Sequence, residues 1–409
     1  EVELALVRLA DATGDKKYLD FAHWLLEERG HGYGSHGNGA PWGTEYCQDD
    51  KPVREITDIT GHAVRAMYLF CGMADVAAKK ADRTYLDALQ LVWEDVTERN
   101  MYVTGGIGSS VHNEGFTEDY DLPNREAYCE TCASVGLIMW ASRMNRLFGD
   151  AGYIDVLERT MYNAALAGVQ LGGEKFFYVN PLESDGSHHR QEWYGTACCP
   201  SNISRFLPSM GNYIYGIDKD NIYVNLFIGN KTEIDVDSVP VHMSISGGYP
   251  FAGDVKITVK PEGSLPRNIK LRIPGWCDEY ALKINGENRK FTKQNGYVTI
   301  PVDKMGADIE LSMAMPVNIM AADPKVKENL CKRAVMRGPL VYCMEECDNP
   351  CYDAATINHD SEFCVEDGEG LLRNFKILKT NEGNITFIPY FAWDNRKPGK
   401  MKVWVDLGK

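Results

Sequence analysis

The spacing of apolar residues changes once along this chain of 409 residues, at about residue 216. Before that point apolar side chains recur every three or four positions, as in helices that bury one face. From Asn221 onward they alternate with polar side chains, as in short strands with one buried face. The chain is long enough for several cores, so the pattern predicts a multidomain protein with an α-rich part followed by a β-rich part.

The first part contains segments of helical spacing, several of which end at glycine or another turn residue. We expect helices over residues 2–13, 18–28, 62–80, 84–99, 125–147, 151–168 and 201–215. Their apolar faces follow one another along antiparallel neighbours, which favours a ring or toroid of helix pairs. Residues 31–43, HGYGSHGNGAPWG, contain too much glycine for a stable helix and are expected to form a loop.

The second part contains short alternating segments separated by turn residues, a pattern typical of a β-sandwich. We expect strands within residues 222–229, 255–260, 269–276, 297–302 and 309–315. A further β segment begins at about Arg333 and includes AVMRGPLVYCME and ITFIPYFAW. The patterns divide the chain into a helical domain at 1–215, a β-sandwich domain at 216–325 and a second β-sandwich segment at 326–409.

The composition narrows the classes of partner. The net charge is −15, which argues against a polyanion such as nucleic acid and leaves neutral sugars open. No run of 18 or more apolar residues occurs, so we expect no transmembrane helix and no membrane partner. The sequence leaves assembly as a homodimer open.

Twelve cysteines in a chain of this size do not resemble the disulfide framework of a small secreted domain. Cys71 and Cys343 lie in apolar segments, where a buried free thiol is the usual state. A reducing compartment fits this pattern, and we predict a cytoplasmic location. The chain begins at Glu1 within a helical segment and without a signal peptide, and we interpret it as trimmed at its N-terminus.

Two short motifs supply the kinds of side chain that zinc prefers. Glu130 and Cys132 belong to CETC, and Cys198 and Cys199 belong to TACCPSN. Adjacent cysteines can both bind a metal where the chain turns sharply, and Pro200 favours such a turn. The alternative interpretation is a set of unconnected buried cysteines with a surface glutamate. The spacing alone favours neither interpretation, because this ligand pattern is not a common zinc motif.

The segment 104–124, TGGIGSSVHNEGFTEDYDLPN, combines glycines with a cluster of carboxylates. Its glycines do not indicate a phosphate-binding loop, because no strand–loop–helix unit surrounds them. Its acidic residues are Glu114, Glu118, Asp119 and Asp121. Each of them is more often solvated or helix-capping than catalytic, and the sequence does not rank them.

Histidine and tyrosine residues are further candidates, and each has an ordinary structural explanation. His62 begins a predicted helix, where a histidine is usually structural. His188 and His189 lie in a polar turn, SDGSHHRQ, and are expected to be exposed. Tyr178 in KFFYVNP either lines a pocket or packs in the core.

A series of motifs occurs in order along nearly the whole chain. They are HAVRAMYL, TGGIGS followed by a glutamate, DYDLPN, ETCAS, YIDVLERTMYN, FFYVNPLES, CCPSN and IPYFAW. Together they resemble glycoside hydrolase family 127, the bacterial β-L-arabinofuranosidases. The resemblance implies a partial (α/α)6 barrel followed by β-sandwich domains, and an enzyme that acts on an oligosaccharide or glycoside substrate.

The same resemblance implies the residues of the site. It implies a Zn²⁺ ion held by Glu130, Cys132, Cys198 and Cys199. Cys198 also matches the family's nucleophile, and Glu114 matches its general acid/base. Positions that line the family's sugar pocket are matched by His62, Glu158 and Tyr178. The implied reaction is retaining hydrolysis of β-L-arabinofuranosides with release of L-arabinose.

Two alternatives stay open beside this activity. The same fold could act on another furanoside or on an acidic sugar, or the protein could be a non-catalytic carbohydrate-binding protein with a structural zinc. Family members begin upstream of the helix that opens this chain. The resemblance therefore implies that early barrel helices are missing, together with polar residues that grip the sugar, and that activity of this chain depends on them.

Overall fold

The computed structural model of the protein describes residues 1–31, 43–264, 267–382 and 384–408. Helices dominate the chain as far as about residue 213, and strands dominate the rest, as the apolar spacing predicted. The predicted loop at 31–43 lies outside the described residues apart from its two end positions.

The helices of the first part follow the predicted segments closely. They are α1 Val2–Thr13, α2 Lys16–Glu27, α3 Gly43–Tyr46, α4 Ala63–Lys80, α5 Arg83–Arg99, α6 Thr131–Phe148, α7 Gly152–Thr160 and α8 Cys198–Ser209. A π-helical turn, Met161–Ala165, extends α7. Local chemistry sets the ends: the Asp82 carboxylate accepts the N–H of Thr84 over 3.0 Å at the start of α5, and Gly149 ends α6 in the left-handed conformation.

Two helices begin elsewhere than the spacing predicted. α6 begins at Thr131 rather than near residue 125, because the N–H of Cys129 bonds to the carbonyl of Gly108 over 2.8 Å and Cys129 has a φ of 39°. α8 begins at Cys198 rather than near residue 201, with Pro200 in its first turn, where the missing N–H has no helical partner to lose. The two cysteines therefore open a helix instead of lying in a turning loop.

The helices pack through large side chains on α4, α5 and α6. Trp140 of α6 is fully buried, and its ring lies 4.9 Å from that of Phe70 and 4.8 Å from that of Trp93, between centroids. Burying a side chain of this kind contributes roughly 2–3 kcal/mol. Because α6 also contacts α8, the same packing fixes the beginnings of these two helices relative to each other. The arrangement of these helices as part of an (α/α)6 barrel stays a prediction.

No helix within the described ranges combines the length and the apolar character that crossing a bilayer would require.

The strands are short and mostly antiparallel. They are β1 Glu183–Ser184, β2 Tyr215–Ile217, β3 Asn221–Val224, β4 Asn230–Val236, β5 Val239–Gly247, β6 Asp254–Pro261, β7 Asn268–Arg272, β8 Tyr280–Ile284, β9 Glu287–Arg289, β10 Tyr297–Pro301, β11 Ala307–Met313, β12 Val317–Met320, β13 Lys332–Arg337, β14 Leu340–Glu345, β15 Thr356–Ile357, β16 Phe363–Asp367, β17 Lys376–Thr380, β18 Thr386–Pro389, β19 Met401–Lys402 and β20 Val405–Leu407.

Strands β2 to β11 form the middle region as two sheets. One has the order β10-β7-β3-β2 and the other β4-β5-β6-β11-β8-β9. Burial alternates along β11, where Ile309 and Leu311 face inward, and Ile269 and Leu271 of β7 are buried from the other sheet. These side chains belong to one hydrophobic core, as expected for a sandwich.

The C-terminal sheet has the order β15-β20-β13-β14-β18-β17-β16, with β12 beside β13 and β19 beside β14. β12 ends at Met320, so this sheet begins before the boundary predicted at residue 325. β1 comes from the helical part and pairs with β19, with Glu183 opposite Lys402. A loop of the helical part is thus joined by backbone hydrogen bonds to the C-terminal sheet.

Candidate metal centre and active-site cavity

The beginnings of α6 and α8 bring four acidic side chains together. Glu130 precedes α6 and Cys132 lies in its first turn, while Cys198 and Cys199 are the first two residues of α8. Helix N-termini carry partial positive charge and unpaired N–H groups, so both helices favour negative charge at this point. We call these residues the quartet.

The ligand atoms of the quartet all lie within 4.8 Å of one another. Glu130 Oε1 is 3.5 Å from Cys198 Sγ and 3.4 Å from Cys199 Sγ. Cys199 Sγ is 3.4 Å from Cys132 Sγ and 3.9 Å from Cys198 Sγ. A tetrahedral metal with bonds of about 2.0–2.3 Å would separate its ligand atoms by roughly 3.5–3.8 Å. The spacing of the four side chains therefore fits a tetrahedral metal ion.

A second observation supports a cation at this point. Glu130 is 2% exposed, and its Oε2 is buried without a hydrogen-bond partner among the described residues. A buried carboxylate oxygen is normally paired, because leaving it unpaired is costly. An ion held between Glu130 and the three sulfur atoms would supply the missing partner. Thiolate and carboxylate ligands are those expected of a zinc-type site.

The protonation of the quartet leads to the same conclusion. Burial raises the pKa of Glu130 to about 8, and it raises the pKa of Cys199 as well. The hydrogen bond with Cys198 raises the pKa of Cys132, whereas hydrogen bonds from Cys132 and Cys199 lower the pKa of Cys198 to about 2. Four acids this close together, three of them buried, thus cannot all be anions unless a cation compensates them.

Glu114 faces the quartet from the loop at 104–124. Its backbone has a φ of 50°, and its carbonyl accepts the N–H of Ala63 at the start of α4 over 3.1 Å. The next residue must be glycine, because a Cβ on Gly115 would lie 1.8 Å from the carbonyl oxygen of Gly61. This close approach directs the Glu114 side chain towards His62, and 41% of that side chain stays exposed.

His62 holds the Glu114 carboxylate. The His62 Nδ1 accepts the N–H of Arg65 over 3.4 Å as the cap of α4, and Nε2 lies 3.1 Å from Glu114 Oε2. Burial lowers the pKa of His62 despite the raising effect of Glu114, which favours the neutral ring. In the tautomer with its proton on Nε2, the ring donates to Glu114 and Nδ1 is free to accept. One ligand atom each of His62, Glu114 and Glu130 lie within 4.8 Å of one another. Glu130, a member of the quartet, therefore also lies close to Glu114 and His62.

Tyr178 lies on the other side of Cys198. Its hydroxyl is 3.0 Å from Cys198 Sγ and can donate a hydrogen bond to a thiolate there. Its backbone is fixed on both sides, because its N–H donates to the Tyr194 hydroxyl over 3.1 Å and its carbonyl accepts the N–H of Thr131 over 3.0 Å. The segment that contacts the start of α6 therefore also holds the Tyr178 hydroxyl close to the sulfur.

These groups line one cavity of about 520 Å³. Its walls include Glu114, His62, Tyr178 and Cys198, the volume being sufficient for a sugar ring and part of a second group. Lining residues that sequence reasoning missed are Arg65, Tyr68, Thr196, Ser201, Asn202 and Arg205. Helical spacing could have found most of them, since they lie three to seven positions after His62 or Cys198 on α4 and α8.

Glu158 does not lie with this group, which corrects the expectation that it lines the sugar pocket. It is 1% exposed, and Arg272 of β7 holds its carboxylate at 2.7 Å. The Tyr249 hydroxyl donates to the same carboxylate over 2.7 Å. Glu158 therefore joins α7 to the middle region, and it is absent from the lining of the cavity that contains Cys198.

Two other expectations have different outcomes. His188 is half-buried rather than exposed, because its ring stacks on that of Phe177 with centroids 4.8 Å apart. His189 is exposed, as expected, and its Nδ1 lies 2.7 Å from Asp394 Oδ1. Neither histidine lines the cavity beside the quartet.

Models of one enzyme family match three successive parts of the chain. The model of the β-L-arabinofuranosidase GH127 catalytic domain matches residues 1–212, that of the GH127 middle domain residues 221–315, and that of the family 127 C-terminal domain residues 317–406. A non-reducing end β-L-arabinofuranosidase from Bifidobacterium longum subsp. longum is 33% identical over 464 aligned positions, which cover 99% of this chain and 70% of that protein.

Solved structures are similar over the whole chain. A GH127 β-L-arabinofuranosidase from Geobacillus stearothermophilus T6 superposes with a TM-score of 0.94 at 37% identity, covering 100% of this chain and 72% of that one. A second GH127 β-arabinofuranosidase has a TM-score of 0.93 at 39% identity and covers 100% of this chain and 68% of that one.

Proposed function

Because the chain belongs to glycoside hydrolase family 127 and is a glycoside hydrolase, we propose that it releases L-arabinose from the non-reducing ends of β-L-arabinofuranosides. We further propose a retaining mechanism with Cys198 as nucleophile and Glu114 as general acid/base. The observation that carries this proposal is that Cys198 and Glu114 line one cavity and that Glu130 lies between them. The activity for which the Bifidobacterium relative is named supports the choice of sugar.

We infer that Glu130, Cys132, Cys198 and Cys199 hold Zn²⁺, since three thiols and one carboxylate are a donor set of that ion. A bound Zn²⁺ keeps coordinating thiols deprotonated at neutral pH. The unpaired Glu130 Oε2 and the tetrahedral spacing are the features of this chain that favour the assignment.

In the first step the Cys198 sulfur bonds to the anomeric carbon while the bond from that carbon to the leaving oxygen breaks. The electron pair of the broken bond goes to the leaving oxygen, and Glu114 gives that oxygen its proton. The product is a thioglycoside on Cys198 and a free alcohol. Tyr178 positions the sulfur, because its hydroxyl lies 3.0 Å from Sγ and its backbone is fixed.

In the second step the Glu114 carboxylate takes a proton from water, and the water oxygen bonds to the anomeric carbon. The carbon–sulfur bond breaks, and its electron pair returns to the Cys198 sulfur. His62 keeps the Glu114 carboxylate in place through both steps, since Nε2 lies 3.1 Å from Oε2. The two displacements together retain the configuration of the sugar.

An electrophilic analogue of β-L-arabinofuranose, followed by peptide mass spectrometry, tests the proposal. We expect one sugar adduct per chain on the peptide that contains Cys198, and loss of both adduct and turnover in Cys198→Ser. Cys364→Ser removes an exposed free thiol of the C-terminal sheet and should change neither. Near-normal turnover of Cys198→Ser, or an adduct on another residue, contradicts the assigned nucleophile.

A panel of aryl glycosides separates the proposed sugar from its alternatives. We expect turnover of the β-L-arabinofuranoside at least about tenfold faster than that of other furanosides or of acidic sugars. If the enzyme prefers a different sugar, the proposed mechanism stands and the proposed substrate is contradicted. An absence of both turnover and adduct with zinc bound would instead favour a carbohydrate-binding protein with a structural metal.

A further inference from the structure

A cavity separate from the active-site cavity lies where α7 meets strands of the middle region and of the C-terminal sheet. Its volume is about 290 Å³, close to the lower end of small-molecule sites. Arg159 of α7, Trp276 after β7, Met320 of β12 and Met336 of β13 line it. None of these four side chains lines the cavity that contains Cys198.

Arg159 is an unusual wall residue because its charge has no partner. Arg159 is only partly exposed to solvent. Within the described parts of the chain, its guanidinium donates no hydrogen bond and forms no ion pair within 4.0 Å. Burial lowers the pKa of Arg159, against the raising effect of Asp155 and Glu158. The five N–H donors of Arg159 are open to solvent or to a ligand that enters the cavity.

The nearby carboxylates cannot serve Arg159, because Arg272 already occupies them. The Arg272 guanidinium donates to Asp155 Oδ1 over 2.6 Å and to Glu158 Oε2 over 2.7 Å. The other Asp155 oxygen accepts the N–H of Gly275 over 3.1 Å, and Glu158 Oε1 accepts the hydroxyl of Tyr249. The charges of the two acids and two arginines sum to zero, so any attraction for an anion is local to Arg159.

Asp155, Glu158 and Asn318 also line the cavity, and both carboxylates are paired with Arg272. The apolar part of the wall is formed by Trp276 and the two methionines. The indole N–H of Trp276 donates to Glu158 Oε2 over 3.4 Å, which leaves the ring half-buried at the side of the cavity. Trp276 also stacks on Tyr249 with ring centroids 6.3 Å apart and an interplanar angle of 21°. Met320 is 39% exposed at the rim, and Met336 is 6% exposed below it. Besides the two carboxylates that Arg272 pairs, the cavity thus offers one unpaired cation, a flat aromatic ring and flexible thioethers.

We propose that this cavity is a binding site for a small carboxylate with a flat apolar body. The carboxylate pairs with the N–H donors of Arg159, and the body lies between Trp276 and the two methionines. An inorganic oxyanion would leave the indole and thioether walls without a partner, and a neutral ligand would leave the guanidinium without one. The site is independent of the proposed reaction, because it shares no lining residue with the active-site cavity.

Calorimetric titration of the full chain with benzoate, benzamide and inorganic phosphate tests the proposal. We expect benzoate to bind at least about tenfold more tightly than the other two probes, the difference that one charge-assisted pair supplies. Arg159→Gln should weaken benzoate binding by about tenfold, to the affinity of benzamide. Because Arg159 has no partner to lose, this variant should keep the melting temperature of the wild type.

Two further variants separate this site from other sources of binding. Met320→Trp fills the cavity from its exposed rim without touching a charge, and it should also weaken benzoate binding by about tenfold or more. Arg205→Gln removes an arginine of the other cavity and should leave benzoate affinity unchanged. The proposal is overturned by equal benzoate affinity in Arg159→Gln and wild type, by equal affinity for phosphate and benzoate, or by no benzoate binding at about 10 mM.

Discussion

The quartet and the cluster of Asp155, Glu158 and Arg272 are both buried, yet their charges are balanced in different ways. Glu130 is 2% exposed and Glu158 is 1% exposed, so the two glutamates are equally removed from water. Both oxygens of Glu158 are hydrogen-bonded, and the fully buried Arg272 supplies the positive charge. One oxygen of Glu130 has no partner among the described residues, and the other contacts only thiols.

This contrast separates a structural ion pair from a metal site. Asp155 and Glu158 raise the pKa of Arg272 although its burial opposes this, so the charged cluster is complete within the chain. In the quartet every neighbour of Glu130 is another acid, and burial raises the pKa of Glu130 to about 8. A cluster that holds its own cation joins elements, whereas one that lacks a cation is incomplete until it binds one.

The largest effect is expected from removing the metal of the quartet. Chelation should abolish turnover and lower the free energy of unfolding by about 4 kcal/mol, the stabilisation given by a ligand at about a thousand times its Kd. Elemental analysis should find about one zinc per chain before treatment. Added Zn²⁺ should restore both activity and stability.

Arg272→Met is the matched control for chelation, since it disturbs the cluster that carries its own cation. It should keep its zinc and lose further stability on chelation as the wild type does. Full activity of the metal-free protein would contradict the assignment of the quartet as a metal site, because the quartet would then be a cluster of protonated acids.

The next largest effect is expected from Arg272→Met itself. The change leaves Asp155 and Glu158 without their cation, and breaking a buried pair in this way costs about 3–5 kcal/mol. Urea denaturation followed by circular dichroism measures the loss. The triple variant Arg272→Met, Asp155→Asn, Glu158→Gln should regain most of it, because no buried charge is left unpaired. A single variant as stable as the wild type would show that the two acids find other partners.

The fold could be predicted from the sequence where local pattern and structure agree. Helical spacing located α4 and α5 within a residue or two, and period-two alternation located β6 and β11. The start of α6 could not be predicted, because it depends on the hydrogen bond from Cys129 to Gly108, which lies in a loop 21 residues earlier. The pairing of β1 with β19 joins segments far apart in order, which no local pattern contains.

For the site, motif matching singled out the quartet, Glu114, His62 and Tyr178. The structure brings these residues together, and all of them except Cys199 line one cavity, while their roles stay a prediction. It misplaced Glu158, because a motif does not show which distant side chain will pair with that residue in the folded chain. Arg272 lies more than a hundred residues later, and its side chain decides where the Glu158 carboxylate lies. The unpaired charge of Arg159 was missed for the same reason.

A smaller effect is expected from Tyr178→Phe, which removes a neutral donor beside the quartet. The change deletes the hydroxyl 3.0 Å from Cys198 Sγ, and a hydrogen bond to a charged group contributes about 1.5–3 kcal/mol. We expect kcat to fall by about 10-fold to 100-fold with zinc content unchanged. Tyr215→Phe deletes a hydroxyl contact with Asn230 outside the cavity and should leave kcat unaltered. Loss of zinc from Tyr178→Phe would mean that the tyrosine supports the metal rather than the nucleophile.

The smallest effect is expected from an ion cluster that lies at the surface. Arg54 donates to Glu27 Oε1 over 2.6 Å and to Asp82 Oδ1 over 3.1 Å, and the side chains of Glu27 and Arg54 are 38% and 33% exposed. Water screens such pairs, so Arg54→Met should cost less than about 1 kcal/mol at neutral pH, against about 3–5 kcal/mol for Arg272→Met.

The pH dependence of that cost separates charge from packing. Burial raises the pKa of Glu27 and Asp82, but hydrogen bonds from Arg54, Tyr85 and Thr84 outweigh it and lower both pKa values below 4.5 and 3.8. A lowered pKa in the folded state gives stability above the ordinary pKa that is lost as the pH falls through the lowered one. Urea denaturation should therefore find the gap between Arg54→Met and wild type closing below about pH 4. A gap that persists in acid would come from the guanidinium packed 4.4 Å above the Tyr85 ring, and would show that this surface cluster, too, is held by more than its charges.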